Sequence, residues 1–220
     1  MQRLGYNRYF AQGGDWGAIV TAAIGVHDTA HCAGIHMNMP IAPPVPELMD
    51  NLTEREQSAL AGMKHYQDWD SGYSKQQSTR PQTLGYALAD SPTGQMAWII
   101  EKRRSWADTH GDIESMWDKD HLCATTTLYW ATETAGTAAR FYKEALMNPW
   151  RPSHSRFPVV EAPTALGVYP QDVLLMPKRW SERYYNLKQY RVHERGGHFA
   201  PYECPDLFVD DVRTFFRAMR

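Results

Sequence analysis

The chain has 220 residues, 43% of them hydrophobic, and a formal charge of −2 at pH 7. That length fits one domain and leaves little room for a second of full size. The near balance of 23 basic and 25 acidic side chains gives no electrostatic footprint for nucleic acid. Cys32, Cys123 and Cys204 are far apart and odd in number, which suits a reducing compartment and small buried thiols rather than a disulfide framework or zinc knuckle. No apolar run reaches the ~18 residues of a membrane span. Residues 1–6 lack the order of a secretory leader. The expected location is cytoplasmic or otherwise intracellular, with no membrane anchor in this chain.

Met1-Gln2-Arg3-Leu4 reads as a helix end with Gly5 as its C-cap. Residues 8–13 predict a short strand, 16–29 a helix, and 31–39 a second strand stopped by Pro40. The Pro-rich stretch 41–46 predicts the exit from a sheet into an inserted segment. From 53 to about 142 the chain is helical in character. It opens with the capping box Thr53-Glu54-Arg55-Glu56, and Ser91-Pro92 starts a further helix. One or two helices follow over 122–146, then strands over 158–168 and 187–192. An amphipathic helix over 206–219 closes the chain, with Leu207, Val209, Val212, Phe215 and Phe216 available to bury. This alternation predicts an α/β fold, a parallel sheet flanked by helices. The expected division is 1–45 and 151–220 as two parts of the core, with 46–150 as a helical lid over the C-terminal sheet edge, where open parallel sheets place ligands.

The first strand runs directly into Gly13-Gly14-Asp15-Trp16-Gly17. A strand that turns sharply into a helix strains its turn residue, and small neighbours relieve the crowding. α/β-Hydrolases present a nucleophilic serine in this way, in a G-x-S-x-G frame. Asp15 holds the serine position here, which points to alkylation of a carboxylate. Asp172 follows one predicted strand, and His198, in Gly196-Gly197-His198, follows the next. Nucleophile, acid and histidine in that order is the chain order of α/β-hydrolases. His27, His31 and His36 are close in sequence, but the first ends a helix and the others point to opposite faces of a strand, so no metal site is expected. No cofactor is expected either. Tyr73 and Tyr142 stand out in the helical insertion, since a lid over the elbow would give their phenols a role.

These motifs together resemble the epoxide hydrolases of the microsomal type and their fungal relatives. The likeness is carried by Gly13-Gly14-Asp15-Trp16-Gly17, the segment 72–81, Leu128-Tyr129-Trp130, Arg140-Phe141-Tyr142-Lys143-Glu144, Tyr169-Pro170-Gln171-Asp172 and Gly196-Gly197-His198-Phe199-Ala200. The resemblance implies Asp15 as nucleophile, Asp172 and His198 as the pair that activates water, Tyr73 and Tyr142 as lid acids, and the backbone N–H of Trp16 as an oxyanion donor. It implies an apolar epoxide and water as reaction partners, no nucleic acid, and leaves a homodimer open. Trp69, Trp98, Trp106, Trp117 and Trp130 are candidates for an apolar pocket wall. The family's second oxyanion donor comes from an H-G-x-P loop, which this sequence lacks, and several N-terminal strands of the family fold are missing as well. The chain therefore reads as the C-terminal portion of a longer enzyme. Two other readings stay open: a haloalkane-dehalogenase-like hydrolase, which also uses an elbow aspartate, and an inactive fragment or binding protein that retains the pocket.

Overall fold

The structure is a computed structural model and describes residues 1–42 and 46–219. Pro43-Pro44-Val45, in the Pro-rich exit and at the expected boundary, lie outside the described residues. The chain begins with a 3₁₀ turn at Gln2–Leu4, followed by β1 (Tyr9–Gly13), α1 (Trp16–His27) and β2 (Cys32–Asn38). Among the described residues six α-helices come next: α2 (Glu54–His65), α3 (Gly72–Thr79), α4 (Pro81–Asp90), α5 (Pro92–Trp106), α6 (Lys119–Ala131) and α7 (Ala135–Met147). The chain then forms β3 (Val160–Val168), α8 (Lys178–Tyr184), β4 (Tyr185–Val192), α9 (Ala200–Glu203) and α10 (Pro205–Arg217).

Among the described residues the strands form one four-stranded parallel sheet in the order β1-β2-β3-β4. β2 and β3 are central, and their sequences are near-continuous runs of small and apolar residues, as a strand covered on both faces requires. Ile35, Met37, Ala165 and Leu166 are inaccessible to solvent. α1 lays Ala18, Ala22 and Val26 into the same core, together with Trp180 of α8 and Tyr185. The parallel order sends every strand's C-terminal end to one edge, which gathers the loops after β1, β3 and β4.

The chain divides into two compact units, one of Met1–Lys64 with the chain from Arg151 onward, the other His65–Trp150. The helical unit thus starts later than the expected boundary at 46. α2 belongs with the sheet: its Ala59 joins the sheet core with Leu60 and Met63 packed against it, and its buried Glu56 takes Arg179 of α8 through paired bonds of 2.8 and 3.1 Å. The same carboxylate accepts from Thr53 N–H at 2.9 Å while Thr53 Oγ1 accepts from Glu56 N–H at 3.3 Å, completing the capping box. In the helical unit, Ser91 Oγ caps α5 by accepting from Gly94 N–H at 3.0 Å. Leu88, Trp106, Trp117, Leu122, Ala135 and Ala139 are buried there, whereas Trp69 is 80% exposed. Cys32 and Cys204 are buried, but Cys123 is exposed on α6, so the buried-thiol expectation fails for that residue. Among the described residues no helix is long and apolar enough to cross a membrane.

Candidate active site

Gly14 and Asp15 join β1 to α1, and Asp15 is the N-cap of the helix. Its φ of 54° and ψ of −129° lie in a region that non-glycine residues avoid, at a cost of order 1–3 kcal/mol. The turn persists because its surroundings leave no alternative. A Cβ at Gly13 would stand 2.1 Å from Gly17 O, and one at Gly14 would stand 2.5 Å from the Asn38 amide. The last glycine of the frame is different. A Cβ at Gly17 would meet no heavy atom within 4 Å beyond its chain neighbours and its own helix backbone, so the expectation that crowding requires a small residue there is corrected. Ala18 N–H donates to Asp15 O at 2.9 Å and starts the helix.

Asp172 sits in a turn after β3 that is closed by its own N–H on Tyr169 O at 3.1 Å. His198 follows β4 through Gly196, whose φ of 97° turns the chain toward the elbow. His198 Nδ1 lies 2.8 Å from Asp172 Oδ1, and Nε2 lies 2.8 Å from Asp15 Oδ2. The imidazole therefore bridges two carboxylates drawn from opposite ends of the sequence. Trp16 N–H donates to the other Asp15 oxygen, Oδ1. The sequence-derived core of the site, Asp15, Trp16, Asp172 and His198, is thus brought together within one unit.

The electrostatics follow from this bridging. Burial alone would pull the His198 pKa down, but hydrogen bonds and charge from Asp15 and Asp172 outweigh it and raise it to about 9. Burial alone would raise the Asp15 carboxyl; the His198 contact and Trp16 N–H prevail and hold it below the ordinary carboxylate range. The resting pair is an aspartate and an imidazolium.

A cleft of about 410 Å³ opens on Asp15 and His198, with Gln12, Asn38, Phe199 and Tyr202 among its walls. Sequence reasoning quoted Phe199 only as part of the histidine motif and missed Gln12, Asn38 and Tyr202. Gln12 Nε2–H donates to Asn38 Oδ1 at 3.1 Å, which fixes the buried Asn38 amide beside the elbow. The available signal was topological: Asn38 ends the strand that pairs with β1, beside Gly13 in register with Met37.

In the helical unit, Tyr73 of α3 and Tyr142 of α7 are brought edge to face, with ring centroids 5.8 Å apart. Tyr66, not foreseen, places its hydroxyl 3.2 Å from that of Tyr73. Trp106 packs 5.2 Å from the Tyr73 ring, while Trp117 is enclosed among the helices. His31 precedes β2 instead of lying on it, and pairs with Asp28 at 2.6 Å. Among the described residues no group of three or more His, Cys, Asp or Glu side chains could hold a metal ion.

A parallel sheet flanked by helices, with an aspartate on a strained strand-to-helix turn bonded to a histidine–aspartate pair, defines an α/β-hydrolase. No protein-family model matches the sequence. A Stigmatella aurantiaca protein named as an epoxide hydrolase is 44% identical over 223 residues, spanning 100% of this chain and 49% of that protein. Epoxide hydrolase 1 of Sus scrofa is 33% identical, spanning 98% of this chain and 52% of its own length. The solved structure of Aspergillus niger epoxide hydrolase superposes with a TM-score of 0.86 at 30% identity, over 100% of this chain and 55% of that one. The chain is a homologue of the epoxide hydrolases within the α/β-hydrolase superfamily. It spans about half the length of the curated relatives it matches.

Proposed function

We propose that the chain carries the covalent machinery of an epoxide hydrolase, acting on an apolar epoxide. The observation that carries this reading is the double bridge of His198, 2.8 Å from the elbow carboxylate and 2.8 Å from Asp172. Asp15 Oδ2 attacks an epoxide carbon in line with the breaking C–O bond and forms a hydroxyalkyl ester. Ring strain makes that carbon electrophilic, but the leaving oxygen is a poor alkoxide and needs a proton. A phenol of Tyr73 or Tyr142 supplies it and becomes a tyrosinate.

Ester formation removes the Asp15 charge that helps hold His198 protonated. The imidazolium proton then passes to the tyrosinate, directly or through solvent, and leaves a neutral base. His198 takes a proton from water, and the hydroxide attacks the ester carbonyl. Negative charge develops on Oδ1, the oxygen already facing Trp16 N–H, which is the requirement for an oxyanion donor. Collapse breaks the bond between the carbonyl carbon and Oδ2, the departing alkoxide takes the proton of the added hydroxyl to complete the diol, and the Asp15 carboxylate is regenerated beside imidazolium His198, the starting state. Asp172 orients the ring and supports its charge throughout.

The test is a quenched reaction of the purified chain with an aryl epoxide such as styrene oxide, read by peptide mass spectrometry. The expected result is an adduct on the peptide containing Asp15 and none in Asp15→Ala. An adduct elsewhere, or unimpaired diol formation by Asp15→Ala, rejects the mechanism. Halide release from matched haloalkanes without diol formation would favour the dehalogenase alternative, and folded protein without any adduct would favour a binding protein.

A further inference from the structure

A second buried cluster, which the covalent steps do not use, lies behind the acid–histidine pair. Asp211 of α10 is fully buried, and its Oδ2 stands 3.1 Å from His193 Nε2 and 3.2 Å from His36 Nε2. Gln189 donates to Oδ1 of the same carboxylate. These bonds fix the His193 ring at the end of β4. Tyr169, the residue after β3, stacks on that ring with centroids 4.5 Å apart and planes within 10°. Tyr169 is also fully buried, and Ala200 and Cys204 share its cluster. On another side of its ring comes Gly196, where a Cβ would fall 3.1 Å from Tyr169 Cδ1 and 2.5 Å from Cys204 Sγ.

Tyr169 thus stands between the two loops that deliver the acid and the histidine. Its carbonyl closes the turn bearing Asp172. Backbone bonds tie the loops around it, His193 N–H to Val168 O at 2.9 Å and Gln171 N–H to Gly196 O at 3.0 Å. Its buried hydroxyl has no hydrogen-bond partner among the described residues, and the contacts with His193 and Gly196 are made by its ring.

We propose that Tyr169, backed by the Asp211-anchored His193 ring, is the positioning residue that holds Asp172 in register with His198. The inference rests on the reading of those two as the water-activating pair, but its test needs no turnover. At pH 7, a histidine Nδ1–H shared with a carboxylate gives a far-downfield proton NMR resonance. In the chain with ¹⁵N-labelled histidine, that signal is expected for His198 and lost in Asp172→Asn.

Tyr169→Phe keeps the ring and should keep the resonance. Tyr169→Leu should lose it while circular dichroism reports a folded chain. His193→Ala, which removes the backing ring, should lose or broaden it as well, and it decides the matter if Tyr169→Leu does not fold. Persistence at full intensity in a folded Tyr169→Leu or His193→Ala chain overturns the proposal, as does loss in Tyr169→Phe. Absence of an Asp15 adduct in the wild-type chain would instead count against the covalent mechanism and leave this result unaffected.

Discussion

His198 makes its two bonds to carboxylates with different fates. Asp172 forms no covalent bond in the proposed cycle, whereas Asp15 becomes a neutral ester. The raised His198 pKa of about 9 draws on both partners, while burial opposes it. Replacing Asp15 by Asn imitates the ester by removing one charge and keeping the shape. The His198 pKa in Asp15→Asn is therefore expected to fall from about 9 toward its ordinary 6.5, as read by NMR titration of the ring. A titration unchanged from wild type would show that Asp15 does not hold the proton on the imidazole, and the acid-to-base conversion would lose its cause. Asp15, Asp172 and His198 were legible because each carries a local signal, a glycine frame or a position just past a strand, and because their chain order is itself a pattern. Asp211 carried none. Its partners His36 and His193 come from two other elements, one of them 175 residues away, and only the folded sheet unites them.

At the scale of elements, the elbow shows how steric rules act unequally on one motif. A methyl at Gly13 collides with the backbone of Gly17, which cannot swing aside as a flexible side chain can. A methyl at Gly17 enters open space on the first turn of α1. Gly13→Ala should destabilise the chain by about 1–3 kcal/mol or more through overpacking. Gly17→Ala should be neutral or stabilising by about 0.4–1 kcal/mol, since alanine restricts the unfolded chain where no clash opposes it. Thermal unfolding of both variants checks the pair, and equal losses would contradict the contact geometry. The strand and helix pattern was legible for related reasons. Buried parallel strands read as apolar runs, and the starts at Thr53 and Ser91 announce themselves through capping chemistry. The allegiance of α2 was not legible, since it rests on non-local contacts: Ala59 joins the sheet core, and Glu56 pairs with Arg179, 123 residues away.

For the molecule as a whole, the ionised pair at the site links function to stability. His198 carries a folded-state pKa near 9 against 6.5 for the unfolded chain, so between those values the native state binds more protons. Unfolding free energy then falls as pH rises through that window, and the contribution is fully present only below about 6.5. At about 1.36 kcal/mol per unit the shift would correspond to roughly 3 kcal/mol. Asp15 is 38% exposed, however, and water screens the pair. The expected loss is therefore about 1–2 kcal/mol. Urea unfolding at pH 6.5 and pH 9.5 measures it, with an unchanged m-value excluding a change in the unfolding reaction itself. Asp15→Asn should flatten most of that dependence, because it removes one of the two charges that raise the histidine. Asp211 acts at the opposite end of the scale. Burial opposes its ionisation, but His193 and His36 hold its carboxyl down to about 2, so its stabilisation is present above the ordinary carboxylate range and is lost as pH falls toward 2. A wild-type chain whose stability rose between pH 6.5 and 9.5 would have the wrong sign for a site that rests as aspartate and imidazolium.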